Sequence, residues 1–400
     1  MFKDCNDKVL FQEMIKDAET NLDSESCIKF KKFSNEKSSV SVQTVFGHLP
    51  ISKIAENFHV FFSSKFNFEQ TDDRNRDEYL DILPKLNNVN ISQLKDNINQ
   101  EEIMKAIDEL RSDAAPGLDG ITSDFYKKHK LLMTQILEWL WNECSSVGKM
   151  PDSTRCGLIS LIYKKNDPSL LSNWRPIILS NTDYKIFALI VKNRLSNVLP
   201  LLIGDYQTCN IKGRSIYDNL TFLNANINDN VNGAILSIDQ ESAFDNISHS
   251  YLFSVLKAYN FPDEFINIVK VLYKESYVHV NFGLGFTNEI PVNEGVKQGD
   301  PMASSLYVLC FEPLLLNLSS KLREISISPF SSFPDTNLSA YADDTACILS
   351  HDVQFPVVQT EFSVFGKFSG SKINKLKSEL YLLGNWTSRI IDTEYKIVND

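Results

Sequence analysis

Residues 337–349 read NLSAYADDTACIL, with two adjacent carboxylates, Asp343 and Asp344, set in a run of apolar, β-prone residues. Leu338, Ala340 and Tyr341 precede them, and Thr345, Ala346, Ile348 and Leu349 follow. Flanks of this kind suit a sheet and Asp suits a turn, so the stretch predicts a strand, a tight turn and a returning strand. Both acids then sit at a hairpin tip. Because side chains alternate faces along a strand, neighbouring acids share one ion more easily from a turn. Packed together without a cation, two carboxylates repel and one tends to take up a proton. A Mg²⁺ site explains the pair economically; the plainer alternative is a solvated Asp-Asp turn, and the rest of the chain decides between them.

A second acidic anchor lies upstream. Residues 233–239 (GAILSID) predict a buried strand whose apolar run ends in Asp239, an unfavourable ending unless the charge is satisfied. After Phe244 and Asp245 comes a helix with Ile247, Tyr251, Leu252, Val255 and Leu256 on one face, and His249 near its start suits capping or packing. One strand and one distant hairpin delivering three carboxylates to a shared point is the pattern expected for two-metal nucleotidyl transfer, which needs no nucleophilic side chain.

Around these anchors the chain offers basic and aromatic surface. Residues 158–163 (LISLIY) predict a strand, followed by Lys164 and Lys165 and, after a loop, by Arg175 at the start of another strand. Lysines at one strand end and an Arg at the next converge naturally on an anion, and Arg binds phosphate oxygens bidentately. A triphosphate clamp is one reading and an exposed hairpin the other. Turns at Pro116-Gly117 and Asp119-Gly120 lead into Phe125, Tyr126, Lys127 and Lys128, a mixture of stacking surface and charge that suits a nucleic-acid strand. Helices are predicted over residues 51–66, 99–111, 131–144 and 181–199, the last with Lys185, Lys192 and Arg194 outside. Residues 69–81 read as a linker or exposed loop, and residues 207–219 as a polar turn around Gly213 and Arg214. Residues 295–301 (GVKQGDP) open a further helix that Pro313 kinks or ends.

Composition bounds the rest. Four hundred residues at 43% hydrophobic are enough for two or three cores. Seven cysteines and six histidines show no zinc-type spacing or disulfide framework, which suits a reducing setting inside the cell, in nucleus or cytoplasm. No stretch approaches the length of a membrane span, so no membrane partner is expected. The net charge of −11 argues mildly against nucleic acid as a global partner, although Lys and Arg cluster locally.

Taken in order, APGLDGIT, DFYKKH, KKNDP with NWRPIILSN, GRSIYDN, SIDQESAFD, KQGDP, YADD and SGSKINKLKSE closely resemble the reverse transcriptases of non-LTR (LINE-type) retrotransposons, from about residue 103 to residue 382. The resemblance implies an α+β, right-hand polymerase fold with fingers and palm, the palm an antiparallel sheet backed by helices; the tail that remains after the palm reads as too short for a thumb, which is expected to be largely absent. It implies residues 1–100 as an N-terminal helical or linker region of unassigned role, 101–232 as fingers, 145–400 as the reverse transcriptase domain and 233–385 as the palm. Asp239, Asp343 and Asp344 would hold two Mg²⁺ ions, with Mn²⁺ as a substitute. Lys164, Lys165 and Arg175 would grip the triphosphate, and Phe244 would exclude a ribose 2′-hydroxyl by a clash. Gln298 and Gly299 would line the nucleotide pocket, Lys377 or Lys372 would protonate pyrophosphate, and Lys127, Lys128 and Arg214 would meet nucleic acid.

The implied activity is RNA-directed DNA polymerase, with an RNA template, a DNA primer and dNTPs as partners. Against the family pattern, Cys209-Asn210 replaces Gly-Phe, Lys297 replaces an Arg, and Met302 to Ser305 replace a Leu-Ser-Pro type segment. With a short tail after residue 384 and no Cys/His knuckle or preceding endonuclease segment, the chain reads as a retrotransposon fragment. The alternatives are a degenerate copy that binds RNA without synthesis, and an RNA-dependent RNA polymerase, which Phe244 disfavours.

Overall fold

The computed structural model describes residues 41–67, 72–228, 232–325, 337–391 and 393–398. Expectations that fall on residues 1–40 and 68–71 lie outside these. Within them the longer helices are α1 (Ile51–Phe66), α2 (Gln100–Glu109), α3 (Lys130–Val147), α4 (Thr182–Leu202), α5 (Ile216–Asn228), α6 (His249–Ala258), α7 (Asp263–Tyr273), α8 (Ala303–Ile325) and α9 (Gln354–Ser369). The strands are β1 (Cys156–Tyr163), β2 (Trp174–Ser180), β3 (Gly233–Ile238), β4 (Gln240–Glu241), β5 (Tyr277–Val280), β6 (Ile290–Pro291), β7 (Leu338–Tyr341), β8 (Asp344–Leu349), β9 (Lys372–Ile373), β10 (Glu379–Leu383) and β11 (Lys396–Val398). The class is mixed α+β.

A five-stranded sheet in the order β11-β10-β3-β8-β7 carries both acidic segments. Its inner pairs are antiparallel, as the resemblance implies, but β11 joins the edge in parallel. Helix α8 lies in the main core, where Leu306, Leu309, Leu314 and Leu318 are buried. It continues past Pro313, so the helix does not end there: it is long and buried along most of its length, and packing outweighs the one lost backbone bond. A second sheet, in the order β2-β1-β5-β6, has its own smaller core. There α1 presents Ile54, Phe58, Phe62 and Phe66, spaced by four so that they share a face, against Ile159, Ile178, Val280 and Ile290.

Local chemistry sets the ends. Asn99 and Glu102 form a reciprocal capping box at the start of α2, each side chain bonding the other's backbone N–H. At the end of α3, Gly148 takes the left-handed conformation that closes a helix. Two surface expectations fail. Residues 76–80 form a short helix rather than a loop, and Arg194 is buried instead of exposed, its guanidinium bridging Glu102 at 2.7 Å and accepted by the Asp96 and Asn97 carbonyls. A buried Arg is tolerated there because its charge is paired and its donors are satisfied.

Candidate active site

Strands β7 and β8 form the expected hairpin, with Tyr341 paired to Asp344 across a two-residue turn of Ala342 and Asp343. Ala342 sits at φ 54, a conformation that costs an L-residue roughly 1–2 kcal/mol. The fully buried Gln207 side chain holds it there: its Oε1 accepts the Ala342 N–H at 2.9 Å, and its Nε2 donates to the Ala342 carbonyl at 3.1 Å. Asp239 directly follows β3, whose last residue Ile238 pairs with Thr345, and its charge acts on both Asp343 and Asp344. Two further bonds fix the Asp239 backbone: its N–H donates to Ser378 Oγ at 3.1 Å, and its carbonyl accepts the Asn374 N–H at 2.8 Å.

Burial, reinforced by the charges of Asp344 and Asp239, raises the Asp343 pKa, and Arg175 opposes the rise. Asp344 is raised by burial and then by Asp239. Neighbouring negative charge therefore adds to burial in hindering the ionisation of Asp343 and Asp344. Among the described residues no group of three or more such side chains is gathered tightly enough to hold a metal ion as it stands. Carboxylate oxygens are nonetheless the donors that a hard cation takes, and positive charge nearby would oppose the rise at Asp343 and Asp344.

Basic residues stand beside the acids. Arg175 pairs with Ile162 in the β1–β2 hairpin, and the Lys164 backbone N–H bonds the Asn173 carbonyl at 2.9 Å. Partial desolvation lowers the Lys164 pKa, as do the charges of Arg175, Lys65 and Lys377, against Asp245. These groups therefore sense one another. Lys165 is an exposed residue after β1, and Lys377 lies in the exposed turn between β9 and β10. Gln298 donates to Asp245 Oδ2 at 3.0 Å. Gly299 takes φ +100, and a Cβ there would come within 2.8 Å of the Ile178 carbonyl oxygen, so only glycine fits this approach. Phe244 stacks on Tyr307 with ring centroids 4.4 Å apart, and the Tyr307 hydroxyl pairs with Gln240 at 3.1 Å.

Other candidates stand elsewhere. Lys127 and Lys128 lie on the short helix Ser123–Lys128, where Lys127 donates to Ser112 Oγ at 3.1 Å. Arg214 clasps a loop: its guanidinium donates to the carbonyls of Ile203, Gly204 and Gln207 and pairs with Asp205. His249 packs as expected, its ring accepted by the Gly295 carbonyl at 3.0 Å and its pKa pushed down to about 4 by burial. Sequence reasoning missed Lys65, Gln207, Asp245 and Tyr307. For Lys65 the only signal was its place at the end of an amphipathic helix, since nothing local announces a partner 180 residues away in Asp245.

The sheet, the acidic hairpin and the basic residues beside it form one candidate site. Comparison narrows this: the family described as "Reverse transcriptase (RNA-dependent DNA polymerase)" matches residues 162–396, more than half of the chain. The chain belongs to that family, in its non-LTR, LINE-type retrotransposon branch. Among similar proteins is the "Transposon TX1 uncharacterized 149 kDa protein" of Xenopus laevis, 31% identical over 338 residues, 83% of this chain and 26% of that protein. A retrovirus-related Pol polyprotein from the type-1 retrotransposable element R2 of Popillia japonica is 26% identical over 70% of this chain and 39% of its own length. That of the type-2 element R2DM of Drosophila melanogaster is 26% identical over 65% of this chain and 24% of its own length. The chain thus spans well under half of the curated relatives it matches. Among the described residues no helix is long and apolar enough to cross a membrane.

Proposed function

We propose that this chain copies RNA into DNA by adding dNTPs to a primer 3′-hydroxyl. The observation that carries the reading is the ladder register, in which β3 ends one residue before Asp239 with Ile238 paired to Thr345, the residue after the Asp343–Asp344 pair. In this reading the five-stranded sheet and its helices, within residues 233–385, are the palm, residues 101–232 supply fingers, and residues 145–400 are the reverse transcriptase domain. Asp239, Asp343 and Asp344 hold two Mg²⁺ ions, or Mn²⁺ in their place; when bound, such ions acidify the attacking hydroxyl and neutralise the departing pyrophosphate. The raised pKa values of Asp343 and Asp344 fit this role, since burial and then the neighbouring carboxylates raise them and a divalent cation opposes both effects.

Lys164, Lys165 and Arg175 grip the triphosphate, and Lys377 delivers a proton to pyrophosphate. Gln298 and Gly299 shape the nucleotide pocket. Phe244, braced by its stack on Tyr307, blocks a ribose 2′-hydroxyl. Lys127 and Lys128 contact nucleic-acid phosphates by charge, whereas Arg214 shapes the Gln207 loop. The partners are therefore an RNA template, a DNA primer and dNTPs.

Primer extension tests this directly. Purified chain with primed RNA, dNTPs and Mg²⁺ extends the primer; Asp343→Asn abolishes extension, and Phe244→Ala lets rNTPs in. Extension that survives Asp343→Asn overturns the assignment, and salt-sensitive RNA binding without any extension supports a non-synthesising RNA binder instead.

A further inference from the structure

Helix α1 lies outside residues 162–396, the part of the chain that matches the reverse transcriptase family. Its apolar face anchors it on the smaller sheet, and that docking carries Lys65, in its last turn, to the edge of the site. There the Lys65 ammonium lies 2.9 Å from Asp245 Oδ2, the same oxygen that accepts Gln298 Nε2 at 3.0 Å. The carboxylate is almost wholly buried, while the Lys65 side chain keeps 18% of its surface open. Asp245 is held from behind: the backbone of residues 295 and 296 bonds the Ile247 and Phe244 carbonyls, which fixes Gln298 and Asp245 against each other.

We propose that Lys65 is a nucleotide-binding residue, a cation that leaves Asp245 to take an oxygen of the incoming triphosphate, and that Asp245 parks it until then. This rests on the polymerase reading above. Lys65, Arg175 and Lys377 all stand close enough to Lys164 for their charges to add to the desolvation that depresses its pKa, with Asp245 the carboxylate that opposes them. Cations collected at one edge in excess of their counter-ion repel, and a polyanion relieves that repulsion. Lys65 suits the exchange because an ammonium on a flexible stem swings between two acceptors, whereas Arg would be fixed in a fork. Since Asp245 neighbours Phe244 and holds Gln298, the exchange frees one Asp245 acceptor site as the nucleotide seats. A segment outside the family match would thereby complete the nucleotide site.

Two variants of the full chain separate this role from a merely structural ion pair. Binding of inorganic tripolyphosphate, followed by calorimetry, needs no turnover: Lys65→Ala weakens it about tenfold, the scale of one hydrogen bond to a charged group, and Lys65→Arg restores part of the loss. Asp245→Asn tightens the same binding, because Lys65 no longer has a competing anion. Lys53→Ala, on the same helix and paired with Glu56, changes nothing. In primer extension, Lys65→Ala raises the KM for dNTP more than it lowers kcat. Unchanged tripolyphosphate affinity in Lys65→Ala, or an affinity that falls in Asp245→Asn, overturns the proposal. If the wild-type chain binds tripolyphosphate with this pattern yet never extends a primer, the polymerase reading fails while Lys65 keeps its anion role.

Discussion

Asp343 is the residue at which stability and chemistry pull apart. Burial and the charges of Asp344 and Asp239 raise its pKa, so the folded chain holds this proton to a higher pH than the unfolded chain does. A raised carboxyl stabilises the fold fully below its unfolded pKa, and that contribution is lost as pH rises through the folded value. Once Asp343 is ionised, its burial and the neighbouring charges of Asp344 and Asp239 therefore work against the fold. Asp343→Asn raises the melting temperature at pH 7 without divalent cation, and added Mg²⁺ raises the wild-type melting temperature more than the variant's. A variant that melts lower than wild type in cation-free buffer, with no difference in its Mg²⁺ response, contradicts this account. Stability lost at catalytic positions in return for activity is a general trade.

At the scale of elements, the hairpin depends on a segment far from it in sequence. Gln207 satisfies both backbone groups of Ala342, and the Thr208 N–H bonds the Ala340 carbonyl beside it. Arg214 shapes the loop that presents Gln207. Gln207→Ala leaves a buried N–H and carbonyl without partners, which costs about 1–3 kcal/mol for each orphaned group, and loosens the turn that carries Asp343. A fall in melting temperature with a larger proportional fall in kcat than in dNTP affinity is the expected outcome; full activity in a chain of unchanged stability contradicts it. The contrast with the hairpin itself shows what sequence can reveal. Alternating apolar flanks around Asp343 and Asp344, and the apolar run into Asp239, announced strands because local pattern fixes local structure. Gln207 and Lys65 act across 135 and 180 residues, and no local pattern encodes such pairings. Arg194 misled because tertiary packing overrode its charge, and packing likewise carries α8 on past Pro313.

The whole molecule keeps several ionisable groups buried. Glu312 lies mid-helix in α8, completely buried, accepting the Gly204 N–H and the Tyr206 hydroxyl at 2.8 Å each, and burial pushes its pKa up to about 8. Folded chains therefore hold this proton while unfolded chains release it, so stability is greatest below about 4.5, as far as this group goes, and declines as pH climbs towards about 8. Glu312→Gln keeps an acceptor for Gly204 and removes the titration. Its melting temperature exceeds that of wild type at pH 8 and converges with it near pH 5; parallel pH profiles for the two proteins contradict the assignment. His249 has the opposite sign, since its buried neutral ring favours the fold above its ordinary pKa and that gain is lost as pH falls towards about 4.

All of this turns on whether the ends of β3 and the β7–β8 hairpin gather divalent cations. Crystals of the chain with primed RNA and a dNTP, soaked in Mn²⁺ and measured at the manganese absorption edge, answer that most directly. The account predicts anomalous peaks bonded to carboxylate oxygens of Asp239 and of the Asp343–Asp344 turn. Manganese bound elsewhere, with those three side chains unliganded beside a seated nucleotide, would contradict it.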